Sequence, residues 1–423
     1  MGVSAGPRIV TNGLILDLDI ANRKSYSKNS IVPLTGWTTG SGGTTYFGQN
    51  GDTVENERVL ATDPWGNTSV VWETRASGNG NADGGYETSW FNIDNTKLYR
   101  FSMWMRRTSS TSGGTFYHGL YGTGGTFGVR RLDNGTIEGN SYWECASTST
   151  YTQNQWYLYV GHCYPHTTTY TGKHPDSGYY LPNGTKYSWN GCNVGNDVKW
   201  LTDTTQTLLR NYHFYCGDNT TRLQFYAPRI DLCDGSEPSL KELLELGPDR
   251  IKDQSLYGNH HTLGAYNIPS ADNPRRFQLD GSNLGIIRNG ALNGVTNNCT
   301  VVIFYKTTDT QELWVRGNQN NSWYLSASAS NNYYHANVGS PTNFVDLNIV
   351  VRPDSPVNYR NGAYHMWEAK GVDFSNWTYF DWFLYPGGWQ MLGDVSKILV
   401  YNRSITSDES AQNFIALRSR YGI

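Results

Sequence analysis

Residues 98–107, Leu-Tyr-Arg-Phe-Ser-Met-Trp-Met-Arg-Arg, alternate at period two: Tyr99, Phe101, Met103 and Met105 fall on one side, and Arg100, Ser102, Trp104 and Arg106 on the other. A helix would scatter the four apolar side chains around its circumference, whereas a strand lines them up along one face. The segment therefore predicts a β-strand with one core face and one face free for contacts. Stretches of the same kind at 115–120, 155–162, 208–215 and 223–232 are separated by Gly-, Asn- and Thr-rich loops. With 46 glycines, 14% aromatic residues and only 16% charged ones, the composition favours short strands and tight turns over long helices. The class is all-β, and no repeat period runs along the chain.

The two ends of the chain carry related signals. After the turn pair Asn12-Gly13, Leu14, Leu16 and Leu18 alternate with Asp17 and Asp19, predicting a half-buried strand. Much later come the polar turn Asp253-Gln254-Ser255-Leu256-Tyr257-Gly258-Asn259-His260-His261 and the run Phe277-Gln278-Leu279-Asp280. Strands are expected at 299–306, 312–316, 322–326 and 397–401, the last followed by Thr406-x-x-Glu409, a capping box opening a helix with Ala411, Phe414 and Ile415 turned inward. In their order these pieces resemble the laminin-G-like, concanavalin A-like β-sandwich of virion structural proteins of tailed bacteriophages, especially marine cyanobacterial phages. The resemblance covers residues 1–28 and 250–423 and is most specific over 398–423. In that family Ser25-Tyr26 leads almost directly into the turn that here begins at Asp253, more than two hundred residues later. Residues 29–249 are therefore expected to form a separate domain inserted into a loop, which lengthens the loop at only a logarithmic entropic cost. That insert looks like a jelly-roll carbohydrate-binding module. A short helix near Ser236-Glu237-Pro238-Ser239-Leu240, stopped by Gly247-Pro248, is expected to lead back into the host domain.

A net charge of −3 with no basic run provides no field for capturing nucleic acid. No basic segment with a following apolar stretch opens the chain, so neither a signal peptide nor membrane insertion is expected, and Gly6 stands where a myristoylation pattern requires Ser or Thr. Five cysteines fall in the insert (Cys145, Cys163, Cys192, Cys216, Cys233) and one in the host (Cys299), without a CxxC pair. The odd count argues against a complete disulfide framework, and reduced thiols are expected, in keeping with synthesis in a bacterial cytoplasm before release by lysis.

Concanavalin-type glucanases place alternate carboxylates on one strand as Glu-x-Asp-x-Glu. No Glu in this chain has Asp two residues later, so no catalytic residues are assigned and the protein is read as a non-enzyme. Asp373 and Asp381 flank an aromatic stretch and are the carboxylates that a polysaccharide depolymerase would use; loop capping is the plainer reading. His162-Cys163-x-x-His166 with His174-Pro175-Asp176 lacks firm zinc spacing, and Asn259-His260-His261 reads as a turn rather than a ligand set. In His213-Phe214-Tyr215-Cys216, alternation puts His213 with Tyr215 and Phe214 with Cys216. No cofactor is assigned. Calcium, held by many laminin-G-like domains, is open at Asp17, Asp19 or Asp280 without an oxygen-rich loop to support it.

Aromatic side chains are the remaining signal, since sugar rings stack their C–H faces on indole and phenol rings. Trp104 between Arg100 and Arg106 is the best-defined candidate in the insert, and Trp377 and Trp382, with Trp389, in the host. These readings lead to a non-enzymatic phage virion structural protein, a tail-fibre or adhesin-type external appendage with lectin-like binding to host cell-surface polysaccharide. The alternatives are a head or neck decoration that contacts only other virion proteins, and an envelope depolymerase. Fibre-like appendages are often trimeric, so a homo-oligomer is an expectation, although no heptads specify one.

Overall fold

The computed structural model describes residues 8–19, 30–33, 37–66, 68–77, 81–190, 194–235, 237–245, 250–263, 277–280, 286–307, 313–317, 324–327, 333–350, 361–383 and 392–421. The chain is all-β and divides into two compact units, Met1–Tyr26 with Asp249–Ile423 (the split unit) and Ser27–Pro248 (the inserted unit). Each contains two antiparallel-rich sheets. Among the described residues no helix is long and apolar enough to cross a membrane.

In the split unit the first and last strands lie side by side: Leu14–Asp19 pairs antiparallel with Leu392–Tyr401, Leu18 opposite Ile398 and Asp17 opposite Leu399. That sheet continues through Cys299–Lys306, Tyr364–Val372, Thr342–Val345 and Asn348–Val350. The second sheet runs Arg250–Ile251, His261–Leu263, Ile286–Asn289, Tyr379–Trp382, Leu313–Gly317, Tyr324–Ala327 and Tyr333–Ala336. One core cluster holds Leu16, Leu18, Ile303, Trp367, Phe380 and Trp382; a second, on the other face of the first sheet, holds Leu14, Phe304, Met366, Leu399, Tyr401 and Leu417.

That double covering corrects two expectations. Leu14–Asp19 is buried along its whole length rather than half-buried, and a bulge between Leu14 and Leu16 sends Leu14 to the helix side while Leu16 and Leu18 face the intersheet core. Asp17 and Asp19, the calcium candidates, sit 2.7 and 2.8 Å from the Lys397 ammonium, which supplies the countercharge a cation would. Burial still raises the Asp17 carboxyl above its usual range, with Lys397 opposing. The Asp280 side chain and Trp389 lie outside the described residues.

The helix Ser407–Tyr421 opens with the expected reciprocal cap: Thr406 N donates to Glu409 Oε2 at 2.8 Å and Glu409 N to Thr406 Oγ1 at 3.2 Å. Phe414 packs inward as expected, beside buried Leu417, whereas Ile415 is exposed. The inner stripe carries polar partners beside its apolar ones: Asn413 Nδ2 donates to the Tyr401 hydroxyl, Asn413 Oδ1 accepts from Val10 N, and Ser410 Oγ donates to buried Glu368.

In the inserted unit one sheet orders Val129–Arg131, Val198–Trp200, Tyr157–Tyr164, Tyr99–Arg107, Arg222–Leu232, Thr68–Arg75, Asn56–Thr62 and Gly40–Ser41. The other orders Tyr142–Ser147, Thr115–Gly122, Gln206–Phe214, Ala82–Thr88 and Phe47–Gln49. Between them Phe101, Met103, Phe116, Tyr86, Leu209 and Phe225 are buried, each large apolar side chain contributing roughly 1.5–3 kcal/mol. A short helix, Leu240–Glu245, is capped by Ser239 and Glu242, and its Leu243 joins this unit's core. Cys145 is disulfide-bonded, which corrects the expectation of reduced thiols; Cys163, Cys216, Cys233 and Cys299 are free. An odd count excludes only a complete framework, not a single bridge. Cys192 lies outside the described residues.

Candidate glycan-binding face

The aromatic residues singled out from the sequence are not where a sugar could reach them. Trp104 is 2% exposed, packed edge-on against Trp65 at 5.5 Å. Arg100 is buried in an ion pair with Asp231 (2.9 Å), which Arg229 also engages at 2.7 Å. Half-buried Arg106 donates to Gln224 and lies 4.5 Å from the Trp156 ring centroid. The face that alternation left free is roofed by Trp65, Trp156 and the 240–245 helix; Trp65 Nε1 donates to Leu244 O. In the split unit Trp377 (1% exposed) packs on Phe374 and Phe380, and Trp382 (0%) donates from Nε1 to His261 Nε2 at 3.0 Å. A stacking platform needs an open ring face, so these three tryptophans are core residues.

The polar candidates are likewise structural. Asp373 closes a turn, accepting from Ser375 N and Oγ, whereas Asp381 is buried against Arg316 at 2.8 Å. Burial pushes the Asp381 carboxyl up to about 7, Arg316 opposing. His162 and His174 stack at 3.7 Å; His162 Nδ1 contacts Ser177 Oγ, whose hydroxyl bonds to buried Asp197. His166 Nδ1 contacts Asn95 O instead. Among the described residues no group of His, Cys, Asp and Glu is arranged to hold a metal. Within 213–216 the alternation fails because Tyr215 has φ +60°, so His213 is buried and Tyr215 projects outward.

A part-exposed aromatic surface lies on the outer face of the inserted unit's second sheet. In the strand Thr115–Gly122, Phe116, His118 and Leu120 face the core, which turns Tyr117, Gly119 and Tyr121 outward. In Gln206–Phe214 the outward set is Leu208, Arg210, Tyr212 and Phe214, and register sets Tyr212 opposite Tyr117 and Arg210 opposite Gly119. Tyr142 lies opposite Gly119 from the neighbouring strand. A Cβ at Gly119 would meet Ser141 O at 2.1 Å and Tyr142 Cδ1 at 2.7 Å, so only glycine lets the Tyr142 ring lie across the sheet.

These side chains form a continuous stripe. Phe127 packs on Tyr121 (centroids 4.7 Å), and the Arg210 guanidinium lies 3.3 Å from the Tyr121 centroid and 4.3 Å from that of Tyr142. Tyr142 meets Tyr117 at 5.0 Å, Tyr117 meets Phe214 at 5.6 Å, and Phe214 meets Tyr215 at 5.6 Å. Four residues of strand from Tyr117 to Tyr121 span roughly 13 Å. Burial raises the Tyr142 phenol to about 12, Arg210 opposing, and also raises that of Tyr212, whose hydroxyl donates to Glu87 Oε2 at 2.8 Å. Both ends of the stripe carry an exposed ring on left-handed backbone, Phe127 (φ +67°, 46% exposed) and Tyr215 (φ +60°, 59% exposed). Bulky residues adopt such angles only where the surroundings impose them, and such strain clusters at binding sites.

No family model matches this chain, and no curated protein does. Solved structures it superposes on include the N-terminal CBM22-1-CBM22-2 tandem domain from Paenibacillus barcinonensis Xyn10C (11% identity, 91% of this chain and 94% of that one, TM-score 0.24). An exo-beta-agarase matches at 10% identity over 73% of this chain and 38% of its own, TM-score 0.30. Botulinum neurotoxin type C, whose cell entry depends on interaction with two ganglioside molecules, matches at 11% identity over 91% and 98%, TM-score 0.26.

Proposed function

We propose that this chain is a non-catalytic glycan-binding structural protein of a tailed-phage particle, an external tail-fibre or adhesin-type appendage that grips host surface polysaccharide through the outer face of the inserted unit's second sheet. The observation that carries the binding half is the aromatic stripe Phe127–Tyr121–Tyr142–Tyr117–Phe214–Tyr215, buried at Tyr142, half-buried at Tyr121, Tyr117 and Phe214, and strained and exposed at both ends. Rings supply stacking area at low entropic cost, while the Tyr hydroxyls and Glu87 supply polar contacts of the kind sugar hydroxyls need. The virion half rests on the resemblance of residues 1–28 and 250–423 to phage structural proteins. A non-enzymatic role is supported by the engagement of Asp373 in a turn and of Asp381 with Arg316.

Two experiments test the proposal. A glycan array should show binding that Tyr121→Ala with Tyr215→Ala abolishes; retention of full binding by that double variant would refute the site. Mass spectrometry of purified particles should detect the chain; its absence from them would end the virion reading.

A further inference from the structure

The outer face of that sheet does not end at the aromatic stripe. One transverse row crosses its strands: Tyr142 stands opposite Gly119, Gly119 opposite Arg210, Arg210 opposite Glu87, and Glu87 opposite Gly48 on the edge strand Phe47–Gln49. Arg210 is 2% exposed and closed between the rings of Tyr121 and Tyr142, so its charge is out of a ligand's reach. Beyond Arg210 the row opens. Glu87 is part-exposed; its Oε2 accepts from the Tyr212 hydroxyl, and its Oε1 has no hydrogen bond among the described residues. Gly48 is exposed and leaves the sheet bare beside that oxygen, since a Cβ built there would lie 4.0 Å from Glu87 Oε1. Exposed rings flank the opening. Phe47 faces the core, which turns Tyr46 and Gly48 outward, and Ser89 N donates to Tyr46 O at 2.8 Å, extending the pairing of the two strands. Trp90 follows Ser89, and Tyr46 and Trp90 are 36% and 46% exposed. From the strand Thr115–Gly122 to this edge is three strand spacings, roughly 14 Å.

Resting on the glycan reading, we propose that this opening is a second sugar subsite and that the sugar it takes is uncharged. Glu87 Oε1 accepts from sugar hydroxyls, Gly48 lets the ring approach the sheet, and Tyr46 and Trp90 offer apolar faces beside it. An ionised carboxylate only accepts hydrogen bonds, so it takes hydroxyl hydrogens and repels a ligand carboxylate or sulfate ester. The stripe supplies area, and Glu87 supplies the choice of ligand.

Calorimetric titration of the full chain tests this with two matched pairs of oligosaccharides: cellohexaose with its C6-oxidised cellouronate, and a neutral galactan hexamer with its sulfated form. In at least one pair the neutral member should bind about tenfold more tightly than its anionic counterpart. Gly48→Val fills the opening without disturbing the fold: Gly48 is not on left-handed backbone, and the nearest atom to an added Cβ is Glu87 Cγ at 3.6 Å, an ordinary contact. That variant should keep its Tm and bind the preferred neutral probe about tenfold or more weakly. Trp90→Ala should weaken the same probe roughly two- to twelvefold, and Glu87→Gln should shrink the neutral preference. Anionic members binding as tightly as neutral ones, or Gly48→Val binding like the parent, would overturn the subsite; the glycan reading would stand as long as Tyr121→Ala with Tyr215→Ala still abolished binding. Binding of none of the four probes would overturn the subsite as well, and a blank glycan array besides would overturn both.

Discussion

If Phe127 and Tyr215 are held on left-handed backbone for the sake of a ligand, replacing them should separate stability from binding. A non-glycine residue in that region costs roughly 1–2 kcal/mol, which Asn largely escapes through its short, locally bonding side chain. Tyr215→Asn loses one ring contact, with Phe214 at 5.6 Å, worth about 0.5–1.5 kcal/mol, and little burial because the ring is 59% exposed. Phe127→Asn loses the contact with Tyr121 at 4.7 Å on the same terms. Strain relief and lost contact nearly cancel, so each variant should unfold within about 1 kcal/mol of the parent, with the balance towards stabilisation. For a domain of this size that is a shift of about 2–4 °C at most. Each lost ring should weaken glycan binding roughly two- to twelvefold. Effects of the two substitutions should add, because Tyr117 and Tyr121 alone already space the ends by roughly 13 Å. Scanning calorimetry and isothermal titration of the single and double variants measure both quantities. A fall in Tm well beyond 4 °C would mean the rings are packing elements; unchanged affinity in the double variant would mean the strain serves something other than glycan.

Other outcomes follow from the buried charges and thiols. Lys397→Met removes the ammonium that pairs with buried Asp17 and Asp19 and should cost about 3–5 kcal/mol by urea denaturation. The Asp381 carboxyl, raised to about 7 by burial, should titrate near that value by carbon NMR; because its folded pKa lies above the unfolded one, its contribution to stability is full below about pH 4 and is lost as pH rises through 7. Glu409, held down to about 2 by Arg403, has the opposite sign: its contribution is present above about pH 4 and lost as pH falls through 2. In oxidised protein unfolded in denaturant, alkylation should label Cys163, Cys216, Cys233 and Cys299 directly and Cys145 only after reduction.

Much of the fold was legible because alternation and capping are local. The 99–107 strand, the 299–306 strand and the Thr406–Glu409 cap all follow from residues within a few positions of one another. What roofs a strand is not local. Period two assigns Trp104 to the non-core face, yet Trp65, Trp156 and the 240–245 helix arrive on that face from distant sequence. The bulge at Leu14 and the left-handed Tyr215 each shift alternation by one position, which reverses every side chain beyond them. The aromatic stripe was visible only in fragments: Tyr117 and Tyr121 alternate on one predicted strand, and Arg210, Tyr212 and Phe214 on another. Sheet order alone sets those strands edge to edge and adds Tyr142 and Glu87 from their flanks.

The most direct test of the account is a crystal structure of the full chain soaked with the tightest-binding oligosaccharide. Sugar rings should lie over Tyr121, Phe127 and Tyr117. Sugar bound at any other surface, with this stripe bare, would contradict it.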